Sequence, residues 1–110
     1  MERGMLDLNS YSKYVCAVRQ GKGFVTGWGN MLEKLCLVHS EVSEAAEAYR
    51  DNNKIQFQEE IADTIIRLMD ICGTLDIDIE TEIENKMAKN EKRPFQHGKV
   101  MGDISIRNSE

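Results

Sequence analysis

The sequence predicts an all-α fold, a four-helix bundle-like protomer containing an antiparallel helix hairpin. Two stretches with apolar residues at 3.6-residue spacing, joined by a short polar breaker, define that hairpin. Composition agrees: the 110 residues include one proline, and only 6% are aromatic, which suits helices better than a β-sandwich. A chain of this length makes one domain with a modest core.

Leu6, Leu8, Tyr11, Tyr14, Val15 and Val18 predict a short amphipathic first helix. Gly21, Gly23, Gly27 and Gly29 then crowd around Phe24, Val25 and Trp28, a loop composition. The second helix runs from about Asn30 to Arg50, with Met31, Leu35, Val38, Val42, Ala45, Ala46 and Tyr49 on one stripe. Asp51-Asn52-Asn53-Lys54 is a breaker of helix–helix connection length. A third helix follows from about Ile55 to Cys72, with Phe57, Ile61, Ile65, Leu68 and Cys72 as its stripe and Gly73 as its stop. Asp76 or Asp78 caps a fourth, carrying Ile79, Ile83 and Met87 and ended by Pro94. The polar segment 96–110 is expected to be an extended or flexible tail of a single domain spanning 1–110.

Several function classes fall away on composition and motif content. Lys+Arg 14 against Asp+Glu 19 gives a net charge of −5, which argues against binding a nucleic-acid backbone. No apolar run reaches membrane-spanning length, and the first residues lack a signal-peptide core, so a soluble cytoplasmic protein without a membrane partner is expected. Cys16, Cys36 and Cys72 are odd in number and form no C-x-x-C pair, which fits reduced thiols. The G-x-x-x-x-G-K-[ST] phosphate loop is absent.

What remains is a pair of carboxylate doublets, Glu41-x-x-Glu44 and Glu60-x-x-Asp63, one on each arm of the hairpin. Residues three apart share a helix face. A helical wheel sets Glu41 just outside the apolar stripe with Glu44 one step further round, and Glu60 and Asp63 adjoin the apolar arc of their own helix. In an antiparallel hairpin, residues equidistant from the loop centre are level with one another. The breaker at 51–54 therefore sets Glu44 level with Glu60, and Glu41 level with Asp63.

Carboxylates reaching into such a seam approach to within about 5 Å, and each pair then costs on the order of 3 kcal/mol at an effective dielectric of about 20. Raised pKa values or a bound divalent ion relieve that repulsion. Oxygen-only ligands favour Mg2+, or Mn2+, over zinc. A ferritin-like di-iron centre requires Glu-x-x-His pairs, and neither His39 nor His97 follows a Glu at that spacing. An EF-hand reading of Asp76–Glu82 lacks the required glycine and twelfth-position Glu. Glu47, Glu59, Asp70, Glu82 and Glu84 are expected to be solvated surface.

At the end of the fourth helix, Lys86, Asn90 and Arg93 recur as one polar stripe that continues to His97 and Lys99. Cations are favoured at a helix C-terminus by its dipole alone, which accounts for Lys89 and Lys92. The stripe also suits an anionic ligand. Metal on one side and cations on the other is what a polyphosphate requires.

On these residues, from roughly Trp28 to Lys99, the chain resembles the MazG-like, all-α nucleoside triphosphate pyrophosphohydrolases. The likeness rests on the E-x-x-E and E-x-x-D doublets in order, and on Lys86-x-x-x-Asn90-x-x-Arg93-Pro94-Phe95-x-His97-Gly98-Lys99, which looks like the ending of one branch. The resemblance implies Mg2+-dependent cleavage of a nucleotide substrate between its α- and β-phosphates, giving a monophosphate and pyrophosphate. It implies Glu41, Glu44, Glu60 and Asp63 as metal ligands, and Lys86, Asn90 and Arg93 as phosphate contacts. It also implies assembly as a dimer or tetramer.

Either Glu41 or Glu44 suits the role of proton acceptor. Trp28 is a candidate for stacking on a base, with core or interface as the alternative. His39, Tyr49, Cys36 and Cys72 are expected to pack, and Arg67 either pairs with an acidic ligand or approaches phosphate. Phosphoribosyl-ATP pyrophosphohydrolase is a close alternative with the same chemistry. A non-catalytic helical interaction module is the alternative from another class.

Overall fold

The structure is a computed structural model, and it describes residues 7–94. These form α1 (Leu8–Gly21), a 3-10 turn at Trp28–Asn30, α2 (Met31–Arg50), α3 (Lys54–Thr74) and α4 (Ile79–Lys92), with no strand among the described residues. The expected tail at 96–110, including His97 and Lys99, lies outside them. The chain divides after Ile79: α1, α2 and α3 form one compact unit, and α4 from Glu80 onward belongs to a second.

Local chemistry sets the boundaries. Asp7 caps α1, its Oδ1 accepting from the Ser10 N–H at 3.1 Å. The hairpin turn is three residues long. Asn52 takes the left-handed conformation (φ 56°), which Asn tolerates better than most residues. Asn53 then donates its N–H to Ala48 O at 2.9 Å and caps α3 through Oδ1 to the Gln56 N–H at 3.0 Å. Asn30 accepts from the Gly27 N–H and donates to Val25 O, both at 2.9 Å, fixing the entry to α2. α4 stops two residues before Pro94, whose ring disfavours helical backbone in the residue preceding it.

Gly73 is not the end of α3, which continues through Thr74; the left-handed residue after it is Asp76 (φ 56°). Gly73 is instead where α1 crosses α3. A Cβ built there would lie 2.3 Å from Ser12 O and 2.9 Å from Cys16 Cβ. Ser12, Val15 and Cys16 from α1 and Ile71 from α3 are buried around this crossing. Lys13 ties the α3 end down by donating to Gly73 O at 3.0 Å and pairing with Asp76. Asn9 donates to Asp78 Oδ1 at 2.8 Å and accepts from the Ile79 N–H at 3.0 Å, satisfying the first backbone donor of α4.

Asp70 is not surface. It is 4% exposed, and its Oδ2 accepts from Thr26 Oγ1 at 2.6 Å and from Arg19 Nε at 3.1 Å. Arg19 also lies over the Phe24 ring, 4.6 Å from its centroid. Thr26 thereby straps the glycine-rich loop to α3, beside the Arg19–Asp70 ion pair that joins α1 to α3. Removing only Arg19 would strand the Asp70 charge, a loss of about 3–5 kcal/mol.

The apolar stripes of α2 and α3 do not face each other. The seam is formed by Glu41, Ala45 and Ala48 on one side and by Glu60, Thr64 and Arg67 on the other, with the two alanines permitting close approach. Val42 and Tyr49 each follow a seam residue on α2, and Ile61, Ile65 and Leu68 do so on α3. One residue step turns a side chain by about 100°. Because the helices are antiparallel, those steps carry both stripes to the same side of the hairpin. There Leu35, Val42, Tyr49, Phe57, Ile61, Ile65 and Leu68 remain exposed. Tyr49, expected in the core, is 76% exposed; His39 and Cys36 are also exposed rather than packed. Cys72 is half-buried, and burial pushes its thiol pKa up, as an inert packing residue requires.

Candidate metal centre

The hairpin brings Glu41, Glu60 and Asp63 together, with one carboxylate oxygen of each within 4.8 Å of the others. The register matches the expectation that Glu41 and Asp63 are level. Glu41 and Glu60 are buried, and Asp63 is exposed at the edge. Glu41 therefore sits in the seam itself rather than beside it, because the apolar stripe has rotated outward and the small face of α2 has turned toward α3.

Glu60 is the least satisfied member. Its side chain belongs to a residue only 8% exposed, and buried Oε1 has no hydrogen-bond partner among the described residues. Oε2 accepts a long bond of 3.4 Å from Gln56 Nε2, one turn earlier on α3. Burial is the main cause that raises the Glu60 carboxyl above its ordinary 4.5, opposed by the Gln56 hydrogen bond. The neighbouring carboxyls of Glu44 and Glu41 raise it further.

Glu41 has a different environment. Its Oε2 accepts from Arg67 Nε at 2.6 Å, so the alternatives open for Arg67 resolve toward pairing with an acid. Glu44 is exposed and lies outside the three-carboxylate cluster, near enough for its charge to act on Glu60. With Ser43, Glu47, Ala48, Asp51 and Gln56 it lines a groove of about 300 Å3 at the hairpin end.

Trp28 is not gathered here. It is 79% exposed and lines a separate surface pocket with Met31, Leu32 and Leu35. From Met31 to Glu41 the helix alone rises about 15 Å. Lys86 and Asn90 lie on α4 and Arg93 just after it, all in the second unit. Gln56 carries no motif that marks it in the sequence, although its position four residues before Glu60 puts it on the same helix face.

The donor set fits a hard divalent cation. Three carboxylates converge, one with a buried oxygen that no donor among the described residues satisfies, and the Arg67 guanidinium offsets part of their charge. In chelator, Glu60 protonation is the other relief. A carboxyl whose folded pKa is raised contributes its full stability below its ordinary value of 4.5, and that contribution is lost as pH rises through the raised pKa. The protein in chelator is therefore expected to lose Glu60-linked stability above pH 4.5. Glu60→Gln, which cannot ionise, should melt higher than the parent at neutral pH in chelator. Melting curves across pH check this, and a lower melting point for Glu60→Gln at neutral pH would contradict it.

In comparisons with family models, curated proteins and solved structures, the chain matches none.

Proposed function

We propose that the protein is a Mg2+-dependent nucleotide pyrophosphohydrolase, cleaving a nucleoside triphosphate to its monophosphate and pyrophosphate. The observation that carries this reading is the buried, unpartnered Glu60 Oε1 beside a cluster with Glu41 and Asp63. Glu41, Glu60 and Asp63 would hold Mg2+, with Mn2+ acceptable to the same oxygens. A bound divalent ion supplies Lewis acidity toward phosphoryl oxygens and makes water a stronger acid. Glu41 is engaged by Arg67, so exposed Glu44 is the better proton acceptor. Lys86, Asn90 and Arg93 carry the donor chemistry a polyphosphate needs, and Trp28 offers an exposed ring for a base.

The test is pyrophosphate release from a panel of canonical and damaged nucleotides, with phosphoribosyl-ATP alongside, in Mg2+ and in Mn2+. Absence of turnover across the panel would end the proposal. A calorimetric titration separates an enzyme from an interaction module, which would bind no divalent ion in a Glu60-dependent way.

The same reading includes self-association through the exposed face of the hairpin. Its seven large apolar residues are each more than a third exposed, and apolar patches of that kind mark protein–protein contacts. A second copy presents the same face, so the contact is self-complementary. Ile65→Asp, at a half-exposed position, should leave helicity intact and shift the protein to monomer in sedimentation velocity. An unchanged sedimentation coefficient would place the contact elsewhere.

A further inference from the structure

We infer that Arg67 is a resident counter-ion that competes with the divalent cation for Glu41 and, once displaced, becomes a ligand for the anion the cation brings. This rests on the divalent-site reading above. The ion pair is short, Nε to Oε2 at 2.6 Å, and the carboxylate side of it is nearly buried, with Arg67 itself about a quarter exposed. Arg67 follows Asp63 by four residues and Glu60 by seven, so all three project from one face of α3. A cation coordinated by the whole cluster would draw on the same Glu41 carboxylate that the guanidinium holds through Oε2, and each weakens the other's hold on that charge.

The exchange is sound on charge grounds. Three carboxylates with one guanidinium leave an excess of negative charge when all are ionised, so a divalent ion can replace Arg67 as the neutralising group. The released guanidinium then stands beside a positive centre that carries phosphate. Its terminal nitrogens, which make no hydrogen bond among the described residues, present the fork that phosphate oxygens accept. Lys would serve the first role but not the second equally, because its ammonium is a point charge.

The test uses the nucleotide-free full chain. Mn2+ titration calorimetry of Arg67→Gln should give at least about tenfold tighter binding than the parent, since a charge-assisted bond no longer has to be broken. Inorganic triphosphate added to the Mn2+-loaded variant should bind about tenfold more weakly than to the loaded parent. Arg67→Lys should restore the parental Mn2+ affinity.

A second measurement needs no variant. The Arg67 Nε–H resonance of the parent should move on Mg2+ addition if the guanidinium leaves Glu41. If the parent binds Mn2+ and Glu60→Gln does not, yet Arg67→Gln binds with parental affinity or weaker, the counter-ion role is wrong and the divalent site stands. A stationary Nε–H resonance under saturating Mg2+ would equally overturn the counter-ion role. If neither the parent nor Arg67→Gln binds either ion, the divalent site is wrong and the counter-ion role falls with it.

Discussion

Glu60→Gln is expected to abolish Mg2+-dependent pyrophosphate release while leaving the fold intact. Partners one shell out from a metal already cost about 10–100-fold when removed, so loss of a direct ligand should cost at least about a hundredfold. Glu41→Gln and Asp63→Asn should behave alike in turnover, but not in stability. Glu41 is paired with Arg67, so its amide leaves a partly buried guanidinium without its charge partner and should also lower the melting point. Asp63 is exposed, and its substitution should affect ion binding alone. Calorimetric Mg2+ titration next to the turnover assay reads both effects. Turnover retained in all three variants would show that the cluster is not the reaction centre.

Gly73→Val is expected to produce the largest loss of stability. The new Cβ would press on Ser12 O at 2.3 Å, and that atom is helix backbone that cannot rotate away. Even Gly73→Ala should destabilise, because overpacking of about 1–3 kcal/mol exceeds the gain of about 1 kcal/mol from replacing a helical glycine. Gly21→Ala is the control, since it also lies in a helix but meets nothing within 4 Å. Thermal melts should show opposite signs at the two glycines, with a drop of several degrees at Gly73. A neutral Gly73→Ala would mean that α1 does not cross α3 there.

The four helices were legible because their signals are local. Apolar periodicity, the polar breaker at 51–54 and Pro94 beyond the last helix all act within a few residues. The level placement of Glu41 and Asp63 was legible for the same reason, since loop position and helical rise determine it. Harder to read was which face of each helix turns inward. Hydrophobicity favoured the Leu35–Val42–Tyr49 stripe, but the folded chain turns the Glu41–Ala45–Ala48 face into the seam and leaves the stripe exposed. Apolar periodicity marks a face without saying which neighbour, if any, it packs against.

Asp70 and Gly73 show the same limit from the other direction. A lone aspartate in a helix reads as surface until a distant Arg19 and Thr26 close on it, and a glycine near a helix end reads as a stop until another helix backbone lies against it. The sequence by itself determined the helices, their order, the hairpin and the level placement of Glu41 and Asp63, because these depend on periodicity and chain geometry over short spans. Only the tertiary structure decided that Glu41, Glu60 and Asp63 form the cluster while Glu44 stays outside, that Glu60 has an unsatisfied oxygen, and that Arg67 already holds Glu41. Those depend on the rotation of each helix about its axis, which is set by how closely the alanines and Gly73 let backbones approach.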